Sequence, residues 1–182
     1  ANYTLAGAVN QDTQNNGNMF KVRSLRENTT ITGFSLRFYP SASSCTGQMV
    51  VKKYSGNSTD PTKADLTNGV WDQIASMSFS RPAPVEFHRV DIQPMLPLTK
   101  DQYEHIWVYS TGCTVQYFTG NAGLAYPTVY SETQHLQLFQ GYGTSTATPT
   151  TNQYRVFAGV LHYEGEELCD PTANPICLFA KD

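Results

Sequence analysis

Three asparagines lie in the triplet that accepts an N-linked glycan: Asn2 (NYT), Asn28 (NTT) and Asn57 (NST), none with proline in the middle position. The chemistry they offer is attachment through the side-chain amide. It belongs to the eukaryotic secretory route. Glycans are expected at Asn28 and Asn57, where an exposed turn meets a strand, and less so at Asn2, close to the first residue. The chain opens on Ala1 instead of Met, which fits removal of a signal peptide just before it; a chain trimmed for other reasons is the alternative.

Four cysteines, Cys45, Cys113, Cys169 and Cys177, allow three disulfide pairings. Cys169 and Cys177 flank DPTANPI, whose two prolines and asparagine turn the chain, so the expected bridges are Cys169 to Cys177 and Cys45 to Cys113. A zinc site is the competing use of four thiols, but no Cys-X-X-Cys pair supports it.

Hydrolytic chemistry needs two carboxylates across a cleft, or a nucleophile beside a base. Glu86 and Asp91 flank His88 within one apparent strand, where a solvated sheet face explains them better. No Gly-X-Ser-X-Gly elbow locates a nucleophile. The four histidines, at 88, 105, 135 and 162, show no metal-ligand spacing and read as surface or cross-strand residues. Asp60 and Asp65 in DPTKADLTNG offer oxygens to calcium but lack the alternating acids and fixed glycine of a recognised loop. No catalytic residue and no cofactor are assigned, with calcium the one ion left open.

The elements that position these residues are strands. The chain has 182 residues, 40% hydrophobic and only 15% charged, with 11 Tyr, 9 Phe and 13 Gly, a β-rich composition for a single core. Its net charge of −3 and lack of a Lys/Arg cluster give no attraction for nucleic acid. No apolar run approaches the ~18 residues of a membrane-spanning helix, so membrane insertion is not expected.

Period-two alternation recurs and no helical stripe is seen. ITGFSLRFY turns Phe34, Leu36 and Phe38 inward, with Ile31 out of phase unless a bulge at Gly33 restores it. EHIWVYS is apolar at both parities, as a strand covered on both faces must be. About nine strands are expected, in an all-β, two-sheet antiparallel sandwich of jelly-roll or Greek-key type, with a closed barrel as the alternative. The sandwich spans 15–163, with ordered extensions at 1–14 and 164–182.

The order NNGNMFKV, ITGFSLRF and YRVFAGVLHYE resembles a poorly characterised secreted β-sandwich module that recurs in extracellular proteins of diatoms and marine bacteria. The similarity spans residues 15 to 163 and rests on Gly17, Asn18, Met19, Phe20, Thr32, Gly33, Phe34, Arg155, Val156 and Gly159. It implies a fold and an extracellular setting and transfers no catalytic residue.

Two non-enzymatic functions follow, with a glycoside hydrolase third. The first is a structural subunit that assembles with copies of itself into a filament, sheet or matrix. Here residues 1–14 donate a strand to a neighbour through Tyr3, Leu5 and Val9, and the tail packs through Leu178 and Phe179. The second is a lectin-like module binding extracellular glycans. The Gly/Asn/Tyr-rich stretch 116–132 offers Tyr117, Tyr126 and Tyr130 to stack on sugars, and Asn121 and Glu132 to bond their hydroxyls.

Overall fold

Alternating apolar side chains cannot leave water unless a second sheet covers them, and two antiparallel sheets do so here. The computed structural model describes residues 1–8, 13–15, 17–39, 42–118, 128–144, 149 and 154–168, with only the backbone described at 13–15 and 117–118. The first sheet runs β1 (Asn2–Ala6), β14 (Gly159–Glu164), β4 (Thr29–Tyr39), β7 (Phe87–Leu98). The second runs β6 (Trp71–Arg81), β5 (Cys45–Tyr54), β8 (Tyr103–Thr111), β3 (Gly17–Ser24). The far side of β3 is shared by β11 (Leu136–Phe139) and β12 (Gly141–Thr144), and β10 (Val129–Glu132) pairs with β11.

One corner is continuous: β9 (Thr114–Phe118) pairs with the end of β4, with β2 (Thr13–Asn15) and with β13 (Tyr154–Phe157), which passes on to β12. The sandwich is thus half closed toward a barrel. The alternating stretch YRVFAGVLHYE breaks at Ala158 into β13 and β14, because the chain crosses there from the corner to the first sheet.

Phe20, Phe34 and Phe157 meet at the centre, with ring centroids 4.8 to 6.3 Å apart, among Val22, Ile31, Leu36, Met49, Ile106 and Val108. Ile31 joins them through the expected bulge: the pairing of β4 with β7 shifts between Ile31 and Gly33, and Ile31, Phe34, Leu36 and Phe38 all face the core. Glycine is required at position 33 by proximity. A Cβ there would stand 2.9 Å from the Val90 carbonyl oxygen and 2.8 Å from Asp91 Oδ1.

Among the described residues fourteen strands replace the expected nine, chiefly because short strands at the corner and beside β3 carry no alternation long enough to read. One helix, α1 (Lys63–Asn68), also departs from the expectation of none. A capping box starts it: Asp65 N–H donates to Thr62 Oγ1 at 3.1 Å, and Thr62 N–H donates to Asp65 Oδ2 at 2.8 Å. That bond holds the Asp65 carboxyl below its usual range.

The first residues are not a free extension. Leu5 is buried in the home core, Tyr3 stacks between His135 and Tyr163, and the Ala1 ammonium donates to the Gly165 carbonyl at 2.9 Å. The sandwich therefore begins at Asn2, since Leu5 finds its apolar cover beside Leu161 of its own chain. The remaining expected assembly contacts, Val9, Leu178 and Phe179, lie outside the described residues, as do Cys169 and Cys177. Cys45 and Cys113 are bridged as expected, with Cα atoms 5.8 Å apart.

Two stability outcomes follow. Leu5→Ala is expected to cost ~2–5 kcal/mol by denaturant unfolding, as a buried truncation in a packed core does. Opening the Cys45–Cys113 bridge by a double Ser substitution is expected to cost about 4 kcal/mol, the chain-entropy value for a loop closed across 68 residues.

Candidate functional site

The outer face of the second sheet positions the most unusual side chains. Strand β8 turns Ile106 and Val108 inward and Trp107 and Tyr109 outward, and all four are buried. The outward pair needs a cover. Leu66 of α1 contributes to it, in a cluster with Met19, Val50, Trp107, Tyr109 and Tyr142, with Trp71 and Tyr54 packed alongside. Trp71 Nε1 donates to the Leu66 carbonyl at 2.9 Å and its ring meets Trp107 edge-on at 5.7 Å.

Polar residues are buried beneath the same cover. Lys21, on the face of β3 opposite Phe20 and Val22, is 2% exposed, its ammonium 4.4 and 4.6 Å from the ring centres of Tyr103 and Phe139. Its Nζ donates to the Thr59 carbonyl at 3.5 Å. Burial pushes the Lys21 ammonium below its usual pKa, partly opposed by Asp60. His105, its cross-strand partner, is 1% exposed, and burial, then Lys21, lowers its pKa to about 3. The His105 backbone N–H donates to Ser58 Oγ at 3.2 Å. Segment 55–62 is therefore pinned to the sheet.

Where this segment leaves the sheet, a polar groove of about 510 Å³ opens. Asn57 and Ser55 form one wall, Gln102 and Tyr103 the other, with Asp72 and Glu104 also lining it. Glu104 is half-buried, 3.7 Å from Lys53 Nζ. Burial raises its pKa, and Lys53 pulls the other way. Sequence reasoning marked Asn57 alone here. No local pattern signals that 101–104 lie opposite it, because the pairing of β5 with β8 is long-range.

On the outer face of the first sheet, Ser35 Oγ lies 2.6 Å from His162 Nε2. His162, Gly33 and Asp91 are in register across three strands, and Arg89 Nε donates to Asp91 Oδ1 at 2.7 Å. Burial and then Arg89 lower the His162 pKa, against Asp91, so the ring is a neutral partner for the hydroxyl. The pair has a nucleophile's first element. Acyl transfer also needs spare N–H groups beside it, and Ser35 is ladder-paired on both sides, to Val160 and to Arg89. A shallow depression of about 380 Å³ adjoins it, lined by Asn2, Thr4, Thr32, Arg89 and His162.

The other expected site residues are not gathered. Glu86 reaches Arg37 at 3.4 Å, Asp91 pairs with Arg89, and His88 packs near Phe79. His105 and His135 are both 1% exposed: His105 is a cross-strand residue, as expected, opposite Lys21, whereas His135 is neither at the surface nor in a strand. His135 Nε2 lies 2.8 Å from the Glu166 carbonyl, inside the turn before β11. Of the proposed sugar contacts, Asn121, Tyr126 and the Tyr117 side chain lie outside the described residues. Tyr130 is exposed at a bulge of β10, and Glu132 accepts from Gln137 Nε2 at 2.9 Å.

All three sequon asparagines are exposed. Asn28 has φ 53° and its Nδ2 donates to Glu166 Oε1 at 2.7 Å. Asn57 instead spends Oδ1 on the Thr59 N–H at 2.9 Å, leaving Nδ2 as the group open to a glycan. Among the described residues, no three metal-ligating side chains cluster. No protein-family model matches this chain, and no curated protein is found similar to it.

The buried imidazole gives a pH test. His105 stays neutral when folded and titrates near 6.5 when unfolded, so between about pH 6.5 and 3 the unfolded chain binds more protons. Stability should fall on acidification through that window by up to ~1.4 kcal/mol per pH unit. Denaturant melts of the parent and His105→Gln at a series of pH values check this: the variant should show the shallower slope below pH 6.5.

Proposed function

We propose that this chain is a non-enzymatic, secreted glycoprotein module that serves as a structural subunit, associating with copies of itself through the edge of β1 that no other described strand pairs. The observation that carries the reading is the character of that edge. Ala1 and Gly165 exchange both backbone bonds, and Gly7 N–H donates to the Gly159 carbonyl. Odd-numbered residues of β1 are thus the hydrogen-bonded pairs with β14, and the N–H and C=O of Asn2 and Thr4 point away from it. On that side, Ser131 Oγ donates to the Ala6 carbonyl at 2.6 Å.

Edges are normally protected by charge, proline or irregularity. Among the described residues, β6 carries Asp72 and Arg81, β7 carries Arg89, Asp91, Pro94 and Pro97, and β10 has a bulge and Glu132. Strand β1, NYTLA, has none of these. Two copies paired β1 to β1 form a two-fold contact that extends the first sheet across both. Such a contact closes on itself, so growth into a filament, sheet or matrix takes a second contact and adds pairs. Tyr3 and Leu5 act indirectly, by seating β1 in its own sheet.

A second reading is saccharide binding, favoured by the shallow depression around His162 and Arg89, whose lining of Asn, Thr, Arg and His side chains suits hydroxyl groups.

Thr4→Pro separates the two. The Thr4 N–H is not used in the home ladder, and proline is tolerated at such an edge position. Sedimentation of the parent protein from micromolar to hundreds of micromolar is expected to show association, and the variant to remain monomeric with an unchanged melting temperature. A parent that stays monomeric throughout and binds immobilised glycans would transfer the function to the second reading.

A further inference from the structure

Resting on the reading that Asn57 is glycosylated, we infer that the groove beside it is a saccharide-binding site whose occupant is the first sugars of the chain's own Asn57-linked glycan. The attachment point is part of the groove wall. It is also held still. Ser55 N–H and Oγ both donate to the Val70 carbonyl, at 3.0 and 2.6 Å, Asn57 Oδ1 is bonded to Thr59 N–H, and the Thr59 carbonyl takes Lys21 Nζ.

The groove's chemistry selects the ligand class. Asp72, Asp101 and Glu104 present carboxylates, of which Asp101 pairs with Arg23 at 3.2 Å and Glu104 with Lys53 at 3.7 Å, leaving an excess of one negative charge, with Gln102 offering both a donor and an acceptor. An anionic ligand meets net repulsion, and an apolar one leaves these groups unsatisfied. A neutral, hydroxyl-rich saccharide donates to the carboxylates and accepts from Lys53 and Gln102. At about 510 Å³ the groove lies within the ordinary range of small-ligand clefts.

Tethering supplies what the open groove lacks. Free sugar would be held weakly by a few half-solvated hydrogen bonds, whereas a sugar linked to the wall is present at an effective concentration on the order of millimolar or above. The docked glycan would bridge segment 55–62 to 101–104, adding a fastening to those made by Lys21 and by the His105 N–H. Asn28 is the internal control, since its Nδ2 is bonded to Glu166 in an exposed turn.

The test uses the full chain secreted from a eukaryotic host that N-glycosylates. Glycopeptide mass spectrometry first gives the occupancy of Asn57 and Asn28. An amide-cleaving glycosidase is then applied to native protein and the release followed at each site. Docking predicts release from Asn57 at least tenfold slower than from Asn28, with the difference lost on denaturation and sharply reduced in Asp72→Ala/Gln102→Ala. It also predicts slower amide exchange over 101–104 in the parent than in Asn57→Gln. With Asn57 occupied, equal release rates and unchanged exchange overturn the docking and leave the glycoprotein reading standing. An unoccupied Asn57 beside an occupied Asn28 overturns the docking alone, and no occupied sequon overturns both.

Discussion

Strand β8 is apolar on both faces, and the rest of the molecule is arranged around satisfying it. Ile106 and Val108 are covered by the opposite sheet, as any sandwich provides. Trp107 and Tyr109 lie on the outer side, where a two-layer sandwich offers only water. Exposing two such rings would forfeit several kcal/mol of burial. The connection from β5 to β6 is therefore long enough to fold back over them, and α1 exists to bring Leu66 down onto the cluster. A third partial layer results.

That layer explains the buried charges. A lysine and a histidine side by side on a covered sheet face would ordinarily be costly. Lys21 meets the cost with two ring faces and the Thr59 carbonyl, and His105 by remaining neutral at physiological pH. Arg81 uses the same principle at another corner, where its guanidinium donates to the carbonyls of Val85 and Ser43 over the Phe38 ring. In Lys21 and Arg81 the polar head fastens an irregular segment that has few apolar residues of its own. The groove at Asn57 is a by-product of this fastening. A segment pinned at Ser58 and Thr59 stands above the sheet and leaves a gap against 101–104.

What could be read in the sequence follows the same division. Features set by a period of two were legible: the inward faces of β3 and β4, the bulge that restores Ile31, and the double-sided burial of β8. The Cys45 to Cys113 pairing was legible because a local partner for Cys169 left no other choice. The capping box Thr62-Lys63-Ala64-Asp65 was present but passed over, since six residues are too few to show a helical stripe. The burial of Lys21 was hidden, because the alternation of Phe20, Val22 against Lys21, Arg23 is the same whether the outer face is wet or covered. Only the long-range fold decides that. The candidate site was least legible, as Asn57, Asp72 and Glu104 come from three elements with no shared pattern.

The seating of β1 bears on assembly in the same physical terms. A strand donated to a neighbour must leave its own sheet, forfeiting the ladder to β14, the burial of Leu5 and the bond from the Ala1 ammonium to Gly165. An exchange regains these bonds only when the neighbour's strand replaces it. Edge pairing makes no such demand. It keeps every bond of the home sheet and adds those of backbone groups that otherwise face water, at the cost of ordering two whole molecules. On the proposed reading, a short ladder of uncharged residues gives a modest association, weaker than that of an exchanged strand.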